Sequence, residues 1–393
     1  MKIAFALENP LRYGGGVSVL VATLIEACLP EHEVILISPD DGDSLANDPL
    51  GEKLQKHIRW ECVKNPPSPQ FSAESKKTID ELIRAQPDLV HFHSGGLFSW
   101  GNRWPGSCWP AALRRQGIPS VWTNHLVVHL LHGYCGDRKP LWFKLAMLPF
   151  SYLGKSQQLA AISAEICVSD HDAGKIRRWY FPFAKKAHRI YHSRLAEHEI
   201  AFSPLPREKM ILSVGHLAFR KGHHILVQAF AKICQERPEW RLVLVGPESK
   251  DGCAAWIRDF CRKERIESKV ELAGSQNNPT DWMKRCSIFV QPSLQEALGL
   301  ALQEAMATGC ACIGTKVGGI PELVVDHFCG RLVPPGDPLA MSLVLTELIS
   351  NEILRHRFGQ EGVRRIGEMG MNQKAMVEAH RAIYRTTVFG ESR

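Results

Sequence analysis

The stretch SIFVQPSLQEALGLALQEAMATGCACIGTKVGGIPEL, Ser287 to Leu323, decides the fold class. An apolar run predicts a buried strand that ends at Gln291, a polar loop follows, and Gly299 opens a helix that runs to about Thr308. A second apolar run, Cys310 to Thr315, predicts the next strand. This strand–helix–strand order is the repeating unit of a doubly wound α/β sheet with parallel strands.

The predicted helix start is a candidate anion site. The backbone N–H groups of Leu298, Gly299 and Leu300 have no partner inside the helix, and a diphosphate is a ligand that such an end binds. Glu296 lies in the loop before the helix and Glu304 in its second turn, so we expect both to face one cleft. Glu304 could accept hydrogen bonds from two ribose hydroxyls and Glu296 from a sugar hydroxyl. Taken alone, the pair is more typical of two surface glutamates near a helix start.

The same alternation of strands and helices extends outward over the chain in two series. Two prolines in AFSPLPRE, Ala201 to Glu208, interrupt it, and a fresh strand, Met210 to Gly215, opens the second series. We therefore predict an α/β protein of two Rossmann-like doubly wound domains, residues 1–203 and 204–371. Because ligands bind at the carboxyl ends of such strands, the expected site is a cleft between the two domains.

Two further windows follow the first strand of each domain. In the second domain, Arg220 and Lys221 precede a new helix, where two cations could neutralise a leaving diphosphate; solvated basic residues at a helix start explain this window equally well. In the first domain, Gly14-Gly15-Gly16 permits close approach of a ligand to the backbone. A G-x-G-x-x-G dinucleotide fingerprint would need glycine at Val19, which disfavours a dehydrogenase.

Together these windows resemble the retaining glycosyltransferases of family 4, which have the GT-B architecture. The resemblance covers nearly the whole chain, and its most specific part is E-x7-E, Glu296 to Glu304, followed by GGIPEL at Gly318 to Leu323. VGHLAFRKG at Val214 to Gly222, LVLVGPES at Leu242 to Ser249 and VELAG at Val270 to Gly274 follow the family's order. The resemblance implies two Rossmann-like domains that face each other across a cleft, with a C-terminal helix, residues 372–393, packed back on the first.

The resemblance also implies a role for each matching residue. His125, in TNH, matches a histidine near the reacting carbon, although a histidine at a strand end is more often structural. His216 stands where the family has an arginine, so either Arg220 supplies the second charge or His216 makes a weaker, pH-dependent contact. The implied catalytic residues are His125, Glu296 and Lys221. The implied diphosphate ligands are Gly15, Gly16, His216, Arg220, Lys221, Leu298, Gly299 and Leu300. The ribose ligand is Glu304, and the nucleobase ligands are Gly246, Pro247, Gly274 and Ser275.

Two departures concern the donor. E-G-F-G of the family is E-A-L-G here, Glu296 to Gly299, and N-G-[VI]-D is replaced by His192-Ser193-Arg194-Leu195. The first keeps a small residue at Ala297. The second touches the predicted cleft and leaves the identity of the donor open.

The implied activity is transfer of a hexosyl-type sugar from a nucleotide diphosphate sugar, such as a UDP-sugar, to a glycan or lipid-linked acceptor. The resemblance implies retention by a same-face mechanism, without a metal or other cofactor. The alternatives are a nucleotide-sugar epimerase of the same architecture and a non-catalytic nucleotide-sugar-binding protein. Asp41-Gly42-Asp43 lies in a turn-rich loop and is not favoured as a metal site. His91 and His93 alternate along a strand and are interpreted as pointing to opposite faces, which argues against joint ligation.

Composition bounds the location and partners. The twelve cysteines include no C-x-x-C pair and are interpreted as reduced, mostly buried thiols, and MKIAFALENP lacks a secretory pattern, so we expect a cytoplasmic protein. Seven Lys/Arg between Ala173 and Ala196 are interleaved with aromatics, and the segment Lys139 to Lys155 is amphipathic. Each is compatible with an ordinary solvated or buried element, or with peripheral contact with the anionic inner face of the cytoplasmic membrane. A nucleic acid partner is not expected, because no binding module accompanies the patch.

Overall fold

The computed structural model describes residues 1–8, 16–38, 59–62, 73–95, 108–127, 140–202 and 206–390. The chain divides into two compact units. Met1–Arg194 with Gln373–Arg393 form unit 1, and Leu195–Asn372 form unit 2. Gly14, Gly15 and the Asp41-Gly42-Asp43 triplet lie outside the described residues.

Unit 1 contains a parallel sheet. Its described strands are β1 (Lys2–Leu7), β2 (Glu33–Ser38), β3 (Arg59–Cys62), β4 (Leu89–Ser94), β5 (Ser120–Asn124), β6 (Ala164–Cys167) and β7 (Ala187–Arg189). They are hydrogen-bonded in the order β3-β2-β1-β4-β5-β6-β7, and every pairing is parallel. Strands β1 and β2 are near-continuous apolar runs because a parallel sheet is covered on both faces, and β4 and β5 are buried along their whole length.

Helices connect these strands. The described helices before the unit boundary are α1 (Gly16–Cys28), α2 (Ala73–Ala85), α3 (Trp109–Arg115), α4 (Leu141–Ala161) and α5 (Asp170–Trp179), with a 3₁₀ turn at Phe181–Lys186. A further 3₁₀ turn, Glu197–Glu199, follows the boundary. The start of α5 shows why a helix begins where it does. The Ser169 hydroxyl accepts from the Asp172 amide over 3.2 Å, and two aspartates in the first turn favour the positive end of the helix dipole.

Unit 2 repeats the architecture. Its strands are β8 (Glu208–Val214), β9 (Arg241–Val245), β10 (Val270–Gly274), β11 (Cys286–Gln291), β12 (Ala311–Thr315) and β13 (Arg331–Val333). They pair in parallel in the order β10-β9-β8-β11-β12-β13. The order of connections reverses between the first and fourth strands of each unit, which is the topological switch point of a Rossmann-like sheet.

The helices of unit 2 follow its strands. They are α6 (His223–Ala231), α7 (Cys253–Glu264), α8 (Pro279–Arg285), α9 (Leu300–Ala307), α10 (Ile320–Leu323), α11 (Pro338–Ser350) and α12 (Glu352–Glu368), with 3₁₀ turns at Phe219–Lys221 and Glu267–Lys269. Asp337 caps α11 and Asn351 caps α12, each by accepting hydrogen bonds from backbone amides in the first turn.

The last helix, α13 (Gln373–Phe389), belongs to unit 1. The Tyr384 hydroxyl lies 2.7 Å from His91 Nδ1 on β4, and the Arg381 guanidinium donates to the Ala27 carbonyl at the end of α1 over 2.9 Å. The chain thus forms unit 1, then unit 2, and returns to unit 1 with this helix.

The boundary between the units differs from the residue 203 expected from the prolines, because unit 2 begins at Leu195. The segment before the prolines is bound to unit 2. The Ala201 amide donates to the Ala307 carbonyl at the end of α9 over 3.1 Å, and the Phe202 ring packs on His356 with centroids 4.8 Å apart. Proline marks a break in regular structure, but packing decides to which unit the residues before it belong.

Candidate functional site

The switch point of unit 2 lies between β8 and β11. Lys221 ends the 3₁₀ turn that follows β8, and Glu296 lies in the loop after β11. Lys221 Nζ donates to Glu296 Oε2 over 2.6 Å, and the two side chains are 17% and 12% exposed. The structure therefore brings together two predicted site residues at the place where a doubly wound sheet binds its ligand.

The hydrogen bonds that described side chains donate to Glu296 all go to one carboxylate oxygen, Oε2. Besides Lys221, the Ser293 hydroxyl donates to Oε2 over 3.1 Å and the Gln291 amide over 3.3 Å. Ser293 is itself held, because its carbonyl accepts from Thr315 Oγ1 over 2.6 Å. The protein thus fixes Oε2 and leaves Oε1 able to accept from a ligand.

The charge state of Glu296 follows from its surroundings. Burial by itself raises the pKa of a carboxyl group. The pKa of Glu296 nevertheless lies below its ordinary value, because the effect of burial is outweighed by the Lys221 ammonium, the Arg220 guanidinium and the Ser293 hydroxyl. Glu296 is therefore a carboxylate at neutral pH and acts only as a hydrogen-bond acceptor.

Backbone contacts seat the loop after β8 on the loop after β11. The Arg220 carbonyl accepts from the amides of Leu294 over 2.8 Å and Gln295 over 3.3 Å. Gly222 has a φ of +72°, and a Cβ at this position would lie 1.8 Å from the Pro292 carbonyl oxygen. Only glycine fits there, so the sequence FRKG positions Lys221 against Glu296.

The Gly318-Gly319 pair of the GGIPEL stretch supports the backbone at Glu296. Gly318 has a φ of +54°, and a Cβ there would lie 1.6 Å from the Glu296 carbonyl oxygen. The Gly319 amide donates to the Ala297 carbonyl over 2.9 Å. The GGIPEL stretch thus has a direct physical role beside Glu296, in addition to its resemblance to the family.

Helix α9 begins at Leu300, directly after this loop. Gly299 is its N-cap residue, with a φ of +100°, and no side-chain hydrogen bond caps this described helix end. Leu298 is 3% exposed and Glu304, in the second turn, is 2% exposed. The interpretation of two surface glutamates is therefore wrong. Binding of a diphosphate at this helix end and of a ribose at Glu304 stays a prediction.

His216 and Arg220 are the two candidates for a second positive charge. Burial, followed by the charges of Arg220 and Lys221, lowers the pKa of the half-buried His216. The imidazole is therefore neutral near pH 7, whereas the exposed Arg220 guanidinium keeps its charge. Electrostatics favour Arg220 as the second cation and leave His216 as a neutral hydrogen-bonding group.

The residues predicted to bind the nucleobase lie at the carboxyl ends of β9 and β10. The Gly246 amide donates to the Gly274 carbonyl over 2.8 Å, and the Pro247 carbonyl accepts from the Leu217 amide over 2.9 Å. Ser275 follows β10 and is exposed. A hydrogen bond thus joins Pro247 to the loop after β8, while contact of the four residues with a nucleobase stays a prediction.

In unit 1, His125 lies directly after β5 and is 8% exposed. Its Nε2 atom is 3.1 Å from His93 Nδ1. Burial, with a smaller contribution from His380, lowers the pKa of His125 to about 3. His125 is therefore neutral at pH 7 and can form hydrogen bonds but supplies no charge. Its role near a reacting carbon stays a prediction.

His125 belongs to a buried cluster of imidazoles that the sequence analysis missed. The cluster comprises His91, His93, His125, His192 and His380. The prediction that His91 and His93 point to opposite faces is wrong, because their ring centroids are 4.0 Å apart. Successive residues alternate between the faces of a strand, so residues two apart share a face.

Glu8 is a second residue that the sequence analysis missed. It follows β1 at the switch point of unit 1, its Oε2 accepts from the Gly95 amide over 3.0 Å, and burial raises its pKa. A pocket lies here, lined in part by Glu8, Ser18, His93 and Ser94. The available signal was an acidic residue directly after the first strand.

Gly16 begins α1 and is exposed, whereas Gly15 lies outside the described residues.

The segment Leu141 to Leu153 of α4 presents apolar side chains to solvent. The exposed ones are Leu141 (63%), Trp142 (69%), Leu145 (51%), Phe150 (42%) and Leu153 (54%). At 100° per residue these five fall within one half of the helix circumference, which we call the apolar face of α4. Lys155, at the end of the segment predicted to be amphipathic, is fully buried and paired with Glu165 over 2.5 Å. Lys139 lies outside the described residues.

The basic patch between Ala173 and Ala196 is not a continuous surface of free cations. Its protein-bound members are Lys175 (to Val127 and Asp172), Arg177 (to Ala187), Lys186 (to Leu159, Ala160 and Ile162) and Arg189 (to Asp170). Lys186 satisfies backbone carbonyls at the end of α4, where a cation is favourable. Structural roles therefore account for much of this charge.

Two family models match the chain, one in each half. The model of glycosyl transferases group 1 matches residues 197–365, and the model of glycosyltransferase family 4 matches residues 14–193. The chain belongs to the group 1 and family 4 glycosyltransferases. The family membership and the α/β GT-B fold class predicted from the sequence are thereby confirmed.

Relatives of this glycosyltransferase carry several activities in their names. The phosphatidylinositol N-acetylglucosaminyltransferase gpi3 subunit of Schizosaccharomyces pombe is 33% identical over 295 residues, which are 71% of this chain and 58% of the relative. The N-acetyl-alpha-D-glucosaminyl L-malate synthase of Bacillus anthracis is 32% identical over 177 residues, 45% of each chain. The chain thus matches about half the length of these relatives.

Solved structures share the fold of the glycosyltransferase over its whole length. Sucrose-phosphate synthase from Thermosynechococcus elongatus has a TM-score of 0.77 at 20% identity, covering 99% of both chains. Anabaena HepE in complex with UDP has a TM-score of 0.73 at 17% identity, covering 97% of this chain and 98% of that one. At such identities the likeness concerns the fold alone.

None of the described helices combines the length and apolar character that crossing a bilayer requires. Nor do the described residues gather three or more His, Cys, Asp or Glu side chains in an arrangement that could hold a metal ion.

Proposed function

We propose that this glycosyltransferase moves a hexosyl-type sugar from a nucleotide diphosphate sugar to a glycan or lipid-linked acceptor. The Lys221–Glu296 pair at the switch point of unit 2 carries the proposal. Lys221 has three N–H donors, of which one goes to Glu296, and Glu296 retains Oε1 as an acceptor. The pair can therefore hold a diphosphate oxygen and a sugar hydroxyl at the same time.

The remaining donors fit a diphosphate leaving group. Arg220 adds a second charge, and the first amides of α9 add donors aligned with the helix dipole. Negative charge grows on the diphosphate as the glycosidic bond breaks, so these groups stabilise the transition state more than the bound donor. HepE binds UDP by its description, which supports a UDP-sugar as the donor.

The proposed reaction is metal-independent and retains the anomeric configuration. The leaving phosphate oxygen accepts the proton of the acceptor hydroxyl, whose oxygen bonds to the anomeric carbon on the same face of the sugar. No protein base is required, which agrees with a neutral His125 that only forms hydrogen bonds. Lys221, Arg220 and the helix amides supply the charge stabilisation that a metal provides in other enzymes.

We assign the acceptor to unit 1, at the pocket that contains Glu8 and Ser18. Carboxylate and hydroxyl groups there suit a polyhydroxylated acceptor. The fission yeast relative is named for transfer to phosphatidylinositol, which supports a lipid-linked acceptor. The apolar face of α4 suits peripheral contact with a bilayer, because its exposed Leu, Trp and Phe side chains would be transferred out of water on partial insertion.

A thermal-shift screen with UDP-, GDP- and ADP-sugars tests donor binding. We expect one nucleotide class to stabilise the chain, by about 2.7 kcal/mol at 100 times Kd. Lys221→Met should reduce the shift, whereas Lys284→Met, at an exposed lysine on α8, should retain it in full. Absence of a shift with all three classes would contradict the proposal.

Product analysis with the stabilising donor separates the alternatives. Transfer with EDTA present and an unchanged anomeric configuration by NMR supports the proposal. An epimerised sugar without acceptor indicates an epimerase, and binding without any turnover indicates a non-catalytic protein.

Sedimentation with vesicles tests the membrane contact. Wild type should bind vesicles with anionic lipid, and Leu145→Ser with Trp142→Ser should not. Ile353→Ser, at an 85% exposed residue of unit 2, is the matched control and should bind like wild type. Equal sedimentation of wild type with vesicles that contain anionic lipid and with vesicles that lack it would remove the membrane proposal.

A further inference from the structure

Two cysteines of unit 2 have their sulfur atoms in contact. Cys286 Sγ and Cys310 Sγ are 3.3 Å apart, and both residues are 0% exposed. Cys286 begins β11 and Cys310 immediately precedes β12, the neighbouring strand. A disulfide bond measures about 2.05 Å. The two sulfur atoms would therefore have to approach by about 1.2 Å for the bond to form.

A guanidinium group lies against one of the two thiols. Arg207 Nη1 donates to Cys310 Sγ over 3.3 Å and also binds the carbonyls of Met283 and Cys286 over 2.9 and 2.8 Å. The Thr308 hydroxyl lies 3.5 Å from the same sulfur. Because a thiolate is the reactive form of cysteine, a fixed cation and a hydroxyl beside Cys310 favour its reactivity.

The two thiols differ in acidity. Burial by itself raises the pKa of Cys310, but the Cys286 thiol, the Arg207 guanidinium and the Thr308 hydroxyl outweigh it and lower the pKa to about 7. Burial, followed by Cys310, raises the pKa of Cys286 well above its ordinary value. The Arg207 guanidinium and the Thr308 hydroxyl beside the Cys310 sulfur therefore make Cys310 the attacking thiolate and Cys286 the thiol that resolves the product.

We propose that Cys286 and Cys310 form a dithiol that a hydroperoxide oxidises to an intramolecular disulfide. The Cys310 thiolate attacks hydrogen peroxide, an S–O bond forms, the O–O bond breaks, and hydroxide leaves, giving a sulfenic acid. The Cys286 sulfur then attacks the Cys310 sulfur, an S–S bond forms, the S–O bond breaks, and the hydroxide leaves as water with the Cys286 proton. The hydroxide released in the first step takes up the proton that the Cys310 thiol lost on ionisation. Two electrons thus pass from the dithiol to the peroxide, which ends as two waters.

This site lies apart from the donor site. It is at the amino ends of β11 and β12, whereas Lys221 and Glu296 follow the carboxyl ends of their strands. The bond would join the start of β11 to the second residue after Thr308, the C-cap residue of α9. Oxidation would thus restrain the helix that carries Glu304, without involving Lys221.

Peptide mapping after peroxide treatment tests the proposal. The reduced chain is exposed to hydrogen peroxide at pH 7, denatured in alkylating agent and digested. We expect loss of two hydrogen atoms per chain, one linked peptide pair containing Cys286 and Cys310, and reversal by dithiothreitol. Peroxide that oxidises the partly exposed Met147 and Met369 without linking these two cysteines in the wild-type chain would overturn the proposal.

Matched variants separate this dithiol from general thiol oxidation. Cys312→Ser, two residues along β12 and equally buried, should still form the linked peptide. Cys286→Ser should stop at a sulfenic acid on Cys310, and Arg207→Lys should slow the oxidation at pH 7. Linkage of Cys312 as readily as Cys310 would also overturn the proposal. The wild-type map decides the question if the serine variants do not fold.

Discussion

Each unit contains a lysine–glutamate pair, and the two pairs differ in what they leave available. In unit 1, Lys155 of α4 donates to Glu165 Oε1 over 2.5 Å and Gln158 donates to Oε2 over 3.3 Å, with both charged side chains 0% exposed. In unit 2, Lys221 and Glu296 remain 17% and 12% exposed, and the donors meet on Oε2. The same two residue types therefore form a closed pair in one unit and an open pair in the other.

Position in the sheet explains the difference. Glu165 lies within β6 and points into protein, whereas Lys221 and Glu296 lie in loops beyond the carboxyl ends of β8 and β11. An ion pair in which both carboxylate oxygens accept from protein side chains can only contribute to stability. An ion pair at a switch point that leaves one carboxylate oxygen available can exchange contacts with a ligand. The comparison teaches that burial and place, more than residue type, separate a structural ion pair from a functional one.

Breaking the closed pair should have the largest effect. Lys155→Met leaves the Glu165 charge buried without its ammonium, so we expect the free energy of unfolding to fall by about 3–5 kcal/mol. Urea unfolding measures this change, and Lys185→Met, at an exposed lysine, is the control. Lys155→Met with Glu165→Leu should recover much of the loss, because no charge then stays buried. A loss no greater than that of Lys185→Met would contradict the structural role.

Breaking the open pair should affect ligand binding. Lys221→Met removes a charged donor from the proposed diphosphate site, so UDP affinity should fall roughly 10- to 150-fold, the equivalent of about 1.5–3 kcal/mol. The free energy of unfolding should fall less than for Lys155→Met, since Lys221 is partly exposed. Titration calorimetry and urea unfolding of both variants test this contrast. Equal UDP affinity in wild type and Lys221→Met would remove Lys221 from the site.

Acid should destabilise unit 1 through its histidine cluster. The pKa of His125 is lowered to about 3 and that of His380 to about 4, mainly by burial. The unfolded chain therefore binds protons that the folded chain does not, so stability is complete above about pH 6.5 and falls as pH decreases.

The expected slope is about 1.4 kcal/mol per pH unit for each neutral histidine between pH 6 and its folded pKa. Urea unfolding at pH 7, 6 and 5 measures it. His380→Gln should reduce the slope, while His327→Gln, in the exposed part of unit 2, should not. A stability that is constant from pH 7 to 5 contradicts neutral burial of these residues.

The smallest effect concerns His216. His216→Arg restores a permanent charge, so UDP affinity at pH 7.5 should rise about 3- to 10-fold, the equivalent of about 0.7–1.4 kcal/mol. In wild type, UDP affinity should increase as pH falls, because a bound diphosphate favours protonation of His216. The arginine variant should lose that dependence. Identical pH profiles for both proteins would leave His216 outside the site.

Much of the fold and part of the site could be predicted from the sequence. Strands and helices follow local periodicity, and Lys221 and Glu296 each follow a predicted strand, so topology alone places them at one sheet edge. The need for glycine at positions 222 and 318 has a similar physical basis, because a backbone segment packed directly against another backbone segment has no room for a Cβ atom. The sequence also indicates that His91 and His93 lie on the same face of β4, because they are two residues apart. The prediction of opposite faces was wrong because it misapplied the two-residue period of a strand.

The sequence by itself determined the family, the two α/β series and the residues that follow each strand, because these depend on short-range patterns. Only the tertiary structure decided which lysine is closed and which is open, that five histidines meet, and that Cys286 touches Cys310. The contact of His91 with Tyr384 spans 293 positions. Such contacts depend on how helices pack across a finished sheet, and no local period of side chains encodes that packing.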